Sequence, residues 1–176
     1  MLLGFAALGG ESNEYLSAQR KFDQISSDRL RPGAHVVLSM PELNAWVAQE
    51  APNGVRQTKL LVTAPNTTVG SALINFVKLE RSQGKQPGWL MSKLLDGERP
   101  VSVTAHIRSG GGQATVDVER VEISGVLIDG KTLDFLIENF LIPMYPDAAV
   151  SRPFELGHRI DRLDIQPAGV TVAIGR

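Results

Sequence analysis

Cysteine is absent from this chain of 176 residues. Its absence excludes disulfide bonds, thiolate metal sites and cysteine nucleophiles. Basic residues are not in excess either, because 18 lysines and arginines stand against 19 acidic residues. Binding to DNA or RNA usually requires a clear basic excess, so nucleic acid is not an expected partner. No apolar run reaches the roughly 18 residues that a membrane-spanning helix needs.

The chain begins with "MLLGFAALGG", a short apolar run that ends in small residues. Such a run is typical of the hydrophobic part of a secretion signal with a cleavage site near Gly9, although the positively charged start of such signals is missing. The alternative is a loosely packed tail. We therefore treat residues 1–10 as a signal remnant or tail. Residues 11–176 contain neither an internal repeat nor a linker and are predicted to form one α+β domain.

Two helices are predicted near the N-terminus, with the short strand "HVVLS" between them. In the first helix Tyr15, Phe22 and Ile25 share one narrow face. The second begins at Ser39, and Glu42 stands three residues later, which is the spacing of a capping box. A further short helix is predicted in "GWLMSKLLDG".

The rest of the chain alternates in the manner of antiparallel strands. "QTKLLVTA" and "TTVGSALINFVKL" form one predicted pair, "VSVTAHIR" and "ATVDVERVEISG" form a hairpin, and "RPFELGHRIDRLDIQ" and "GVTVAIGR" close the chain. In the hairpin, Val118 and Val121 face the same way only if Glu119 and Arg120 absorb one extra residue. The sequence therefore predicts a β-bulge there, which would curve the sheet.

The segment "KTLDFLIENFLIPMYP", residues 131–146, is apolar on two sides. At about 100° per residue, the members of a front stripe lie within about 80° of its first residue: Leu133, Leu136, Ile137, Phe140 and Leu141. Phe135 and Ile142 form a back stripe on the opposite side. Burial of such a side chain is worth roughly 1.5–3 kcal/mol. We therefore expect a cover over the back stripe: another helix, a partner subunit, or an apolar ligand held in a groove.

The predicted fold is a curved, mostly antiparallel sheet of about six or seven strands wrapped around this long amphipathic helix, with additional N-terminal helices. The order of "SMPELNA", the long hairpin, "ISGVLIDGKTLDFLIENFL" and the closing strand pair resembles tubular lipid-binding (TULIP-like) proteins of the bacterial envelope. These include YceB-type lipoproteins and LmeA-like phospholipid-binding proteins. In such families the sheet wraps a long helix and leaves an apolar tunnel for lipid tails.

The resemblance implies a non-catalytic, extracytoplasmic protein that holds a lipid or another apolar ligand without a cofactor. This sequence lacks the cysteine that anchors YceB-type proteins to lipid, and the membrane contact expected here is a peripheral one; the sequence does not specify an oligomeric state. The residues predicted to line the apolar space are Phe135, Ile142, Leu136, Phe140, Trp46 and Trp89. Candidates for contact with an anionic head group are Arg152, His158, Arg159 and Arg162, with a salt-bridged strand surface as the alternative.

The histidines and carboxylates of the sequence do not form a catalytic or metal-binding motif. The histidines lie on different predicted elements and lack the spacing of metal ligands. His158 and Asp161 could form two members of a triad, but no nucleophile motif accompanies them. Asp117 and Glu119 share the outward face of a strand. Two carboxylates at this spacing could act as acid and base in a cleft, but a charged, solvent-exposed sheet face is the favoured explanation. The alternatives to a lipid-binding protein are therefore an interaction module that uses the back stripe and, in third place, a hydrolase.

Overall fold

A computed structural model of the chain describes residues 11–85, 96–144 and 150–176. The fold is α+β, and its strands form two mostly antiparallel sheets. The strands are β1 (His35–Ser39), β2 (Val55–Ala64), β3 (Thr67–Ile74), β4 (Arg99–Gly110), β5 (Gln113–Ile123), β6 (Val126–Ile128), β7 (Phe154–Glu155), β8 (Ile160–Gln166) and β9 (Gly169–Ile174). The α-helices include α1 (Asn13–Ser26), α2 (Met40–Gln49), α3 (Phe76–Ser82) and α4 (Gly130–Leu136).

The first core lies between α1, α2 and a three-stranded sheet of order β1-β9-β8. Its buried side chains are Ala18, Ile25, Val36, Leu38, Val172 and Ile174. The predicted N-terminal helices are confirmed, as is the capping box at the start of α2. There the Ser39 side chain accepts a hydrogen bond from the Glu42 backbone, and Glu42 accepts one from the Ser39 backbone.

The larger sheet has the order β2-β3-β4-β5-β6, and β7 pairs with β5 as its sixth strand. The β4–β5 hairpin contains the predicted bulge. Thr104 lies opposite Arg120, whereas the next residue, Ala105, lies opposite Val118. Glu119 is therefore the extra residue. Since successive side chains in a strand point to opposite faces, one extra residue returns Val121 to the face that carries Val118.

The end of the larger sheet that carries the β2–β3 and β4–β5 turns contacts β8 of the smaller sheet. Ser109 on β4 accepts a hydrogen bond from the Leu163 backbone at 2.8 Å and donates one to the Leu163 carbonyl at 3.1 Å. The backbone N–H of Asn66, in the β2–β3 turn, donates to the Ile165 carbonyl at 3.0 Å. The two sheets thus meet along β8.

The strand predicted through "TTVGSALINFVKL" is too long, and this prediction is wrong in its second half. β3 ends at Ile74 and α3 begins at Phe76. The cause is Asn75, whose side-chain oxygen accepts a hydrogen bond from the Lys78 backbone at 2.9 Å and so caps the helix. The predicted helix in "GWLMSKLLDG" and the predicted signal or tail of residues 1–10 lie outside the described residues.

The long helix expected over residues 131–146 is not confirmed, because the helical elements are short. α4 is followed by a π-helical turn (Ile137–Leu141) and by a final α-helical turn (Ile142–Met144). We call these three pieces together the 130–144 segment. Pro143 has no backbone N–H and cannot donate to the carbonyl of Asn139, four residues earlier, so a regular helix is interrupted here. The Lys85 side chain donates to that carbonyl instead, at 3.1 Å.

Candidate ligand-binding cavity

A cavity of about 180 Å³ lies between the larger sheet, α3 and the 130–144 segment. Every lining residue in the described part of the chain is apolar: Ile74, Phe76, Leu79, Val101, Val103, Val118, Val121, Ile123, Leu133, Leu136, Ile137, Phe140 and Leu141. The second hydrophobic core, built on Phe76, Leu79 and Phe140, surrounds this space.

The wall formed by the sheet depends on the bulge in β5. Val118, Val121 and Ile123 all line the cavity. If Glu119 and Arg120 alternated as in a regular strand instead of forming the bulge, Val121 and Ile123 would lie on the opposite face of the sheet. The bulge therefore makes one continuous apolar wall from both halves of β5.

The opposite wall is held together by an aromatic pair. The rings of Phe76 on α3 and Phe140 on the π-helical turn meet edge to face, with centroids 5.1 Å apart and planes at 77°. Both side chains are buried, as is Leu79. Aromatic pairs in this arrangement contribute about 0.5–1.5 kcal/mol beyond their burial, so the contact fixes α3 against the 130–144 segment.

The π-helical turn supplies three of the lining residues, namely Ile137, Phe140 and Leu141. Its backbone is supported from two sides. The Asn139 side chain donates to the Phe135 carbonyl at 2.8 Å, and Lys85 donates to the Asn139 carbonyl. Single π-helical turns inside α-helices are frequent at functional sites, which agrees with the position of this one beside the cavity.

The two apolar stripes of the 130–144 segment have different environments. The whole front stripe lines the cavity. Of the predicted lining residues, Leu136 and Phe140 belong to it. The back stripe does not line the cavity, since the side chains of Phe135 and Ile142 are 41% and 43% exposed. The expected position of the apolar space is corrected accordingly: it lies between the front stripe and the sheet, and the back stripe faces away from it.

Of the two tryptophans predicted to line the apolar space, Trp46 does not line the cavity. Trp46 lies in the first core, where its ring is 5.5 Å from that of Tyr15 and 4.5 Å from that of Phe22. Trp89 lies outside the described residues, and its position relative to the cavity stays a prediction.

The basic residues proposed for a head group do not line the cavity either. His158 lies 3.5 Å from Asp28 rather than beside Asp161. Arg159 donates to the carbonyls of Asp28 and Leu30 at 3.4 Å. These contacts fasten the loop before β8 to the end of α1. Arg162 lies 3.4 Å from Asp161 on the surface of β8, and Arg152 is exposed in the turn before β7.

Among the described residues, the side chains that line the cavity include no acid–base or nucleophilic group, since all of them are apolar. The carboxylates weighed as catalytic candidates lie elsewhere: Asp117 accepts a hydrogen bond from Arg108 at 2.7 Å, and Glu119 is exposed at the bulge. Within residues 11–85, 96–144 and 150–176, no three metal-ligating side chains are grouped together. No helix in this part of the chain is both long enough and apolar enough to cross a bilayer.

Sequence reasoning missed Phe76 and Leu79 as lining residues, because it placed them on a strand. The signal that could have found them is Asn75, a favoured capping residue directly before an apolar residue. Comparison of the chain with protein-family models, with curated proteins and with solved structures found no match. Any proposal of function therefore depends on the geometry of the cavity.

Proposed function

We propose that this protein is a non-catalytic binding protein that holds the apolar part of a lipid-like ligand in the cavity between the larger sheet and the 130–144 segment. The observation that carries the proposal is an open space of about 180 Å³ whose lining, within the described residues, is wholly apolar. Protein interiors are close-packed and contain few voids larger than a water molecule. The side chains around such a space forgo van der Waals contacts that a filled core would make.

The size and chemistry of the cavity limit the ligand. An apolar cavity of about 150 Å³ stays dry and takes up benzene, so about seven carbon atoms fit into the present one. A long acyl chain would have to reach out of it. The lining side chains in the described part of the chain provide no hydrogen bonds, so the part of the ligand inside the cavity would need none. Selection there would depend on size and shape.

The proposal includes the finer features of the tubular lipid-binding resemblance. The larger sheet would curve around the 130–144 segment, and the bulge at Glu119 supports this curvature. The protein would act outside the cytoplasm, in the periplasm or envelope, which the apolar run "MLLGFAALGG" supports. No cofactor takes part.

The test is a calorimetric titration of the purified protein with toluene, which matches the cavity in size and has no polar group. We expect one bound toluene per chain. Val103→Phe should abolish binding, because the larger ring occupies the cavity. Val37→Phe is the matched control, since Val37 is 57% exposed on β1 and should leave binding unchanged. The absence of toluene binding to the unmodified protein, or equal binding to Val103→Phe, would refute the proposal.

A second candidate function is a protein-interaction module. It is favoured by the exposed back stripe and by two exposed residues of the edge strand β6, Val126 and Leu127. Under this proposal a partner chain covers these side chains. Sedimentation velocity should then show self-association or binding of a partner that Phe135→Ser removes while toluene binding persists. A monomer at all concentrations, with no effect of Phe135→Ser in binding assays, would count against it.

A further inference from the structure

A buried polar pair, Glu80 and Gln83, lies on α3 and its end beyond the residues that line the cavity. At about 100° per residue, four residues of α3 and its end fall within about 100° of one another: Phe76, Leu79, Glu80 and Gln83. Phe76 and Leu79 line the cavity. Glu80 and Gln83 thus continue the same face, about 6 Å and about 10 Å along the axis from Phe76.

This pair is not satisfied by the rest of the described chain. Glu80 is only 8% exposed, and within residues 11–85, 96–144 and 150–176 its Oε2 atom has no hydrogen-bond partner. The same is true of both side-chain polar atoms of Gln83, which are buried as well. Buried polar groups are normally paired, and a buried carboxylate without a partner is especially unfavourable. By contrast, the other buried carboxylate, Glu42, accepts hydrogen bonds from Lys21 and Ser17.

We propose that Glu80 and Gln83 form a polar subsite at the α3 end of the cavity, which binds the head group of the ligand whose apolar part the cavity holds. This inference rests on the proposed binding function. The carboxylate of Glu80 accepts hydrogen bonds, and the Gln83 amide both donates and accepts. The head group is therefore a hydrogen-bond donor, a primary ammonium or a hydroxyl group, and an anionic carboxylate is disfavoured beside Glu80. This donor head group differs from the anionic head group for which the exposed basic residues were candidates.

The experiment compares three ligands that share a six-carbon tail: hexylamine, 1-hexanol and hexanoate. Dissociation constants are measured for the unmodified chain, Glu80→Gln, Gln83→Leu and the control Glu138→Gln, whose carboxylate is exposed on the 130–144 segment. Toluene serves as the ligand without a head group. We expect the unmodified chain to bind hexylamine at least about tenfold more tightly than hexanoate, because a hydrogen bond to a charged group is worth that factor or more.

In Glu80→Gln the preference for hexylamine should fall to within about threefold, and in Gln83→Leu the affinity for 1-hexanol should fall about fivefold. Toluene affinity should stay within twofold in both, and Glu138→Gln should behave like the unmodified chain. If toluene binds but the head groups are not distinguished, the polar subsite is refuted and the binding function stands. If toluene does not bind, both fail. A marked loss of stability in Glu80→Gln would show that Glu80 is a structural residue and would also refute the subsite.

Discussion

Glu42 shows at the scale of one residue how this fold holds a buried charge. Its carboxylate accepts hydrogen bonds from Lys21 at 2.6 Å, from Ser17, and from the Ser39 backbone at 2.7 Å. Burial by itself would raise the pKa of Glu42, but the hydrogen bonds from these three residues together outweigh burial and lower the pKa to about 2. The side chain thereby ties α1 to the start of α2.

The lowered pKa of Glu42 predicts a dependence of stability on pH. Because the pKa in the folded state lies below its ordinary value of 4.5, Glu42 stabilises the fold above pH 4.5, and this contribution is lost as the pH falls towards 2. Glu42→Gln should lower the free energy of unfolding by about 2 kcal/mol near neutral pH. In urea unfolding, the difference from the unmodified chain should shrink below pH 4.5. Glu138→Gln, an exposed control, should change little at any pH, and a difference for Glu42→Gln that is independent of pH would contradict this prediction.

At the scale of the element, the bulge in β5 is the feature on which the sheet wall depends. Deletion of Glu119 together with Arg120 would place Val121 directly after Val118, so that in a regular strand Val121 and Ile123 turn away from the cavity. Val121 is buried, and the exposure of two such side chains should lower the free energy of unfolding by about 3 kcal/mol or more.

Thermal and urea unfolding of the deletion variant would measure this loss. Glu119→Ala is the control, because it keeps the extra residue and removes only an exposed side chain. Its free energy of unfolding should change by less than about 0.5 kcal/mol. If the deletion and the substitution were equally mild, the bulge would not determine which face Val121 and Ile123 occupy.

Features with a local signal could be predicted from the sequence, such as the capping box at Ser39 and the bulge at Glu119. The helical wheel also separated the front stripe from the back stripe correctly. It could not reveal that the front stripe leaves a void against the sheet, since side-chain direction carries no information about the distance between elements. The interruption by the π-helical turn follows from Pro143, which has no backbone N–H to donate to the carbonyl of Asn139. A helical wheel counts side-chain directions and does not include this missing hydrogen bond.

At the scale of the whole molecule, two hydrophobic cores have different properties. The core between α1, α2 and the smaller sheet includes the fully buried Leu38 and an aromatic group around Trp46. The core beneath the 130–144 segment contains the cavity. This division could not be read from the sequence, because β1 pairs with β9, more than 130 residues later, and nothing local specifies that pairing. Under the proposed function, packing in the first core would keep the fold rigid while the second core would leave space for a ligand.

The most direct measurement of the central claim is a crystal structure of the protein under xenon pressure, since xenon enters dry apolar cavities without needing hydrogen bonds. We expect a xenon atom among Val103, Val121 and Phe140, with the surrounding side chains unmoved. A structure without xenon, in which these side chains are in van der Waals contact across the space, would contradict the binding function.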